Sequence, residues 1–537
     1  MCDRKFKKLC KSWLHQVHGA LCFAWLGRFR RAIYAVAPAF AFGIGSSPYV
    51  MAQGGARLVH NSNLTRPVIV LLCAAPSSSL GIGPNPDMKL IVASQMNSLC
   101  AAALLFLATV SPLSAQELPP PINDQSFVAV DLREAKLGQL LFYDPILSGN
   151  RSIACATCHH PKLGTSDGVS LSLGDGGLGM GRDRHIDPSN PPEERIPRNA
   201  TGLFNLGAKE FTVLFHDGRL EADASLPSGI RTPMGGDMMA GFASVLSAQS
   251  MFPVLSRDEM AGSHKENDIA RLVRQGIITG KGGAWDKLAR RVADIPEYAD
   301  GFVALYPHVT HRDDIAFTDI SNAIAAFVSY EWRSDTAPFD AVLRGELTLD
   351  AQAQSGLELF YGKGGCATCH AGAFLTDHQF HVMAAPQIGP GKSATFEDHH
   401  RDDGRFRVTG HEADRYAFRT PSLRNVALTA PYGHAGAHRD LARFVADHSN
   451  PAQSLARYDR TQAILPQFEG EDFAVMDDPA QVSAIAAAVT SPPVDLSKDE
   501  VAALVAFLHS LTDPISLTGR LGSPVTVPSG LPVLSVD

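Results

Sequence analysis

Apolar positions recur at helical spacing in several stretches of this 537-residue chain. Leu137-Gly138-Gln139-Leu140-Leu141-Phe142-Tyr143 and Ser355-Gly356-Leu357-Glu358-Leu359-Phe360-Tyr361 each read as the end of an amphipathic helix. Ile320–Val328 reads as a more apolar, buried one. Near the C-terminus, Ser497 and Glu500 form a capping box. Behind it Val501, Leu504, Val505, Leu508 and Leu511 make one apolar face, with Pro514 as its terminator. Strand signals are sparse and Gly- and Pro-rich loops are many. Two loops are long, about 225–250 and 390–415, the second carrying a run of charges. The pattern predicts a mainly α fold with long loops. The first two stretches are alike and far apart, which predicts two similar domains, 116–335 and 336–537, with a boundary near 334–347.

Each of the two similar stretches runs into the same pentapeptide, Cys-Ala-Thr-Cys-His, at Cys155-Cys158-His159 and Cys366-Cys369-His370. Cys-x-x-Cys-His is the attachment signature of c-type haem. Two thiols at this spacing each form a thioether to one vinyl group, and the following His binds the iron from the proximal side. A redox dithiol does not require the His, and a zinc site would need further thiolates or imidazoles at matching spacing. The motifs therefore predict two covalent haem c groups in two cytochrome c-like domains.

Charge and cysteine usage divide the chain at about residue 115. Residues 1–115 hold 11 Lys and Arg against 2 Asp and Glu, and the rest holds 36 against 53. An acidic body argues against a nucleic-acid partner. It suits a basic redox partner. Cys2, Cys10, Cys22, Cys73 and Cys100 precede residue 116, and the later cysteines are the four of the motifs. Met88–Ala115 reads as a secretory signal: Lys89, a short apolar core over Leu99–Val110, and a cleavage site at Leu113-Ser114-Ala115. The apolar run is too short for a stable membrane span. Residues 1–87 lack domain-like periodicity and read as a product of an upstream start codon, absent from the functional protein. Cleavage near Ala115 predicts a periplasmic protein.

Further blocks share their order with a known family. Leu137-Gly138-x-x-Leu141-Phe142-x-Asp144-x-x-Leu147-Ser148 precedes the first motif. Pro197-Arg198-Asn199 and Phe215-His216-Asp217-Gly218-Arg219 follow it, and Tyr416 to His434 follows the second. Over roughly residues 130–450 the chain resembles the di-haem cytochrome c peroxidases and their MauG-type relatives. The resemblance implies that the first haem, on His159, meets peroxide, and that the second, on His370, relays electrons. It implies an acid–base carboxylate at Glu259, with Gln249 and Pro253 in the matching places before it. It also implies a Ca²⁺ at Asn199, Thr429 and Pro431, held by neutral oxygens, and a homodimer.

Three positions depart from the family pattern. Where many relatives carry a distal His that closes the first iron, this chain has Asp175 in Ser172-Leu173-Gly174-Asp175. A carboxylate is a poor substitute for imidazole there, so the first haem is expected to be open with both irons ferric. His185, nearby, reads as a loop His. The sixth ligand of the second haem, Met or Tyr in relatives, falls on His448, which predicts a bis-imidazole site of lower potential. The Trp expected between the haems is His216, which binds the cofactor either as a structural hydrogen-bonding group or as part of the electron route.

The leading expectation is a periplasmic peroxidase that reduces hydrogen peroxide with electrons from a small cytochrome c or cupredoxin. A MauG-like enzyme oxidising residues of a partner protein is the alternative, and a di-haem electron carrier the third reading. No chemistry is legible in the tail after His448.

Overall fold

The computed structural model describes residues 118–534, apart from 264 and 394–396. The leader and upstream segment expected over 1–115 lie outside the described residues. The described residues pack as one compact unit.

The fold is mainly helical, with strands of two or three residues. Helix Leu132–Tyr143 starts at Asp131, whose carboxylate accepts from the Arg133 amide at 2.8 Å. It buries Leu137, Leu141 and Phe142 against helix Phe317–Glu331. Helix Ala351–Tyr361 starts at Asp350 in the same way and packs on helix Lys498–His509. The capping box is present as expected: Ser497 Oγ accepts from the Glu500 amide at 3.2 Å, and Glu500 Oε2 from the Ser497 amide at 2.8 Å.

Both helix pairs cross at a glycine. A Cβ on Gly138 would lie 1.8 Å from the Ala323 carbonyl oxygen, and one on Gly356 would lie 1.9 Å from the Ala503 carbonyl oxygen. The repeat noticed in the sequence is therefore a repeat of one crossing geometry. A large apolar core spans the first pair and reaches Trp332, with Phe374 and Val527 added from later in the chain. A smaller one runs from Phe339 to Leu511 around the second pair.

Two local expectations are corrected. The C-terminal helix ends at His509, not at Pro514. Pro514 instead opens a short helix, Pro514–Thr518, because its fixed φ and missing N–H suit a first helical position. The long loops are also more ordered than their composition suggests. Ile230–Arg231 completes a three-stranded antiparallel sheet with Val213–Leu214 and Leu220–Ala222, and helix Val245–Gln249 follows. In the second loop, Phe406–Thr409 forms one helical turn.

The tail after His448 returns to segments that precede the second haem motif. Ser170 and Ile464 exchange hydrogen bonds of 2.7 and 2.8 Å. Buried Arg195 pairs with Asp472 at 2.8 Å. Buried Glu331, at the end of helix Phe317–Glu331, accepts from the amides of Arg520, Leu521 and Gly522 at 2.6–3.0 Å. Among the described residues no helix is long and apolar enough to cross a membrane.

Gly356→Ala is expected to lose about 1–3 kcal/mol of stability, because the helices must separate to admit the methyl group. Ser355→Ala, on the exposed side of the same helix, is expected to stay within about 0.5 kcal/mol. Guanidinium unfolding of the two variants checks this, and equal effects would show that the crossing does not depend on glycine.

Candidate active site

The first pentapeptide forms a single helical turn, Cys155–Cys158, and His159 leaves it with its amide on the Cys155 carbonyl at 3.0 Å. The His159 Nδ1–H donates to the Thr165 carbonyl at 2.9 Å, an arrangement that orients the ring with Nε2 as the nitrogen for a metal. The second motif repeats this: His370 Nδ1–H donates to the Leu375 carbonyl at 3.1 Å. In both, the accepting residue is held in the left-handed region, Thr165 at φ 58° and Leu375 at φ 54°. Such strain costs on the order of 1–3 kcal/mol and persists where the surroundings over-determine it.

A cavity with about 1230 Å³ of empty space, its mouth included, is lined by Cys155, Cys158 and His159. Burial pushes both thiols up to about 12, so neither is a thiolate at neutral pH. The mostly apolar walls, the neutral thiol pair and the imidazole at the wall fit a covalently attached haem. The buried Gln249 Oε1, which also faces this cavity, has no hydrogen-bond partner among the described residues.

The structure brings Glu259, Gln249 and Pro253 to the same cavity. Gln249 ends helix Val245–Gln249, Pro253 opens a 3-10 turn, and Glu259 sits in a π-helical turn, Arg257–Ala261. Such turns often mark functional sites. The turn is held from outside. The Asp175 amide donates to the Glu259 carbonyl at 2.9 Å, and the Gly149 amide to the Met260 carbonyl at 2.7 Å. A Cβ on Gly174 would lie 1.9 Å from the Asp258 carbonyl oxygen. The Glu259 carboxylate makes no hydrogen bond among the described residues. Burial raises its pKa, and Lys392 and then Arg219 oppose that rise.

Asp175 itself does not line the cavity. Its carboxylate accepts from Ser152 Oγ and Asn150 Nδ2, both at 2.7 Å. His185 is exposed, on a two-residue strand.

His216 lines the cavity and donates from Nε2 to the Asn199 carbonyl at 3.1 Å. Burial, with Arg198 nearby, pushes its pKa down to about 3, so it is neutral. Beside it lies a buried network that the sequence did not reveal. Arg198 donates twice to Asp402, at 2.7 and 2.8 Å, and once to Asp217 at 2.7 Å. Burial raises both carboxylates, but the guanidinium overcomes it and holds them well below their usual range. Asp402 belongs to the charged loop, where no periodicity pointed to it.

Of the expected calcium residues, Asn199 donates from Nδ2 to the Val169 and Ser170 carbonyls at 2.9 and 3.2 Å. Its amide donates to the His434 carbonyl at 2.9 Å, and Gly202 approaches Thr429, a Cβ on it lying 3.1 Å from Thr429 Cγ2. Among the described residues no cluster of metal-ligand carboxylates surrounds it.

At the second motif, Cys366 and Cys369 span a 3-10 turn after helix Ala351–Tyr361. His448 is the last residue of helix Leu441–His448. Burial, together with nearby His370 and His438, pushes its pKa down to about 4, so its imidazole is neutral and able to ligate. Phe444, one turn earlier, lies 5.3 Å from it and stacks on Tyr432 at 5.4 Å.

The chain is 30% identical over 319 residues to the cytochrome-c peroxidase IdrP2 of Denitromonas iodatirespirans, an alignment covering 56% of this chain and 69% of that one. It belongs to the di-haem cytochrome c peroxidase and MauG family. The family model described as di-haem cytochrome c peroxidase matches residues 133–348. Identity to the methylamine utilization protein MauG of Methylorubrum extorquens is also 30%, over 304 residues, covering 56% of this chain and 64% of that one. The diheme peroxidase BthA from Burkholderia thailandensis shares the fold, with a TM-score of 0.50 at 20% identity, covering 75% of this chain and 94% of that one. Members are di-haem oxidoreductases, so two haems belong to this chain.

Arg198→Met is expected to cost about 3–5 kcal/mol at pH 7, because it leaves buried Asp402 without its guanidinium and Asp217 with Arg219 alone. Both are depressed, so their contribution is complete above the unfolded value near 3.9 and is lost as pH falls through the much lower folded values. Unfolding curves of the two proteins should therefore converge toward pH 2. A gap that stays constant with pH would show that Arg198 acts by packing alone.

Proposed function

We propose that this chain is a periplasmic di-haem peroxidase that reduces hydrogen peroxide to water with electrons from a small cytochrome c or cupredoxin. The observation that carries it is the Glu259 carboxylate, which shares a cavity with His159, Gln249 and Pro253 and has no hydrogen-bond partner among the described residues. In this reading one haem sits in each of two domains, 116–335 and 336–537. His159 holds the first iron, and His370 and His448 hold the second. The haems supply iron for peroxide binding and the two electrons. Glu259 takes a proton from the proximal peroxide oxygen and returns it to the leaving oxygen. Gln249 offers its free Oε1 to a peroxide proton. With two electrons and two protons, one peroxide yields two waters. His216 acts by holding the Asn199 backbone beside the cavity. Calcium at Asn199, Thr429 and Pro431 remains part of the proposal through the family alone.

A second reading has one observation in its favour. Asp175 is held by Ser152 and Asn150 outside the cavity, so no side chain from that position closes the iron. An iron open in the ferric state suits a MauG-like enzyme that oxidises residues of a partner protein, and it equally suits a peroxidase that needs no prior reduction. An electron carrier has no use for an unbonded carboxylate in the cavity.

Glu259→Gln is expected to slow peroxide cleavage by about 10²–10⁴-fold while both haems stay bound. Because burial raises the Glu259 pKa, the wild-type rate should fall with decreasing pH from above the ordinary glutamate range, and the variant should lose that limb. Stopped-flow pH profiles decide this, and an unaltered rate would remove Glu259 from the mechanism. Low-temperature EPR of the fully ferric protein is expected to show one high-spin and one low-spin haem. Two low-spin signals would overturn the open-iron reading.

A further inference from the structure

We propose that Lys392 is a further polar residue of the peroxide pocket, a cation beside Glu259 that favours small anionic ligands at the first iron. The inference rests on the role assigned to Glu259 and to an open first iron. Lys392 comes from the charged loop after the second haem motif, yet it lines the cavity of the first, together with Glu259, Gln249 and Arg219.

Its place is set by the backbone. Gln387 and Asp402 exchange two hydrogen bonds, of 2.8 and 3.0 Å, across the base of the loop. The Gly389 amide donates to the Asp472 carbonyl at 2.7 Å. Gly391 adopts φ 68°, and a Cβ there would lie 2.0 Å from the His400 carbonyl oxygen, so the chain turns sharply just before Lys392. The loop thus presents the lysine from a fixed stem.

The two carboxylates on the far side of the arginines are already matched. Asp217 is shared by Arg198 and Arg219 at 2.7 and 3.1 Å, and Asp402 is taken by Arg198. Among the described residues no carboxylate lies within ion-pair distance of the Lys392 ammonium. Burial, with Arg219 and Arg198 nearby, pushes it down to about 8, which leaves it charged at neutral pH. An unpaired cation facing a ligand cavity favours an anion over a neutral ligand.

The test is fluoride titration of the ferric holoenzyme near pH 7, read from its haem absorbance, with neutral imidazole as the control ligand. Lys392→Met should bind fluoride about tenfold more weakly, with imidazole affinity within twofold of wild type, and Lys392→Arg should recover most of the fluoride affinity. Fluoride affinity within twofold of wild type in Lys392→Met would overturn the proposal. So would an equal weakening of fluoride and imidazole, which marks a collapsed pocket, or failure of both variants to retain haem, which assigns Lys392 to anchoring. Fluoride without effect on the wild-type protein would instead overturn the open-iron reading, and this inference with it.

Discussion

The structure depends on two places where a helix passes another at backbone distance. Gly138 and Gly356 meet the carbonyl oxygens of Ala323 and Ala503 with no room for a Cβ. Each crossing lies just before a Cys-x-x-Cys-His turn, so it sets where that turn starts. From there the chemistry is positioned by hydrogen bonds: each proximal imidazole is turned by a carbonyl from a residue in left-handed conformation. Two apolar cores then supply the bulk burial that makes these strained residues tolerable.

The first cavity joins distant parts of the chain. His159 and the thiols come from the turn after the first crossing, and Glu259 from a π-helical turn clamped by Asp175 and Gly149. Lys392 comes from beyond the second haem motif. Arg198 ties this assembly together, because its two buried carboxylates lie 19 and 204 residues away in sequence. Breaking that contact leaves charges in a low-dielectric interior, so the cavity wall and the charged loop are energetically one piece. The tail adds a further tie, with Glu331 collecting three amides from residues 520–522.

Departures from the family pattern acquire a physical meaning in this frame. Asp175 stands where relatives place a ligand, and its carboxylate is satisfied by Ser152 and Asn150 while its amide holds the Glu259 turn. A residue that looked like a lost ligand is a structural clamp. His216, neutral and bonded to the Asn199 carbonyl, has likewise become part of the wall.

The sequence by itself determined the helical class, the paired Cys-x-x-Cys-His motifs and the capped C-terminal helix. These are local signals, in which residues one helical turn apart must meet. The spacing of Gln249, Pro253 and Glu259 was also legible, because all three lie on one short stretch. Only the tertiary structure decided that Asp402 pairs with Arg198, that Lys392 reaches the first cavity, and that the tail folds back on helix Phe317–Glu331. Those contacts join segments with no periodicity of their own. Their partners are chosen by burial, which makes an unpaired charge or amide costly, and burial exists only once the whole chain has packed.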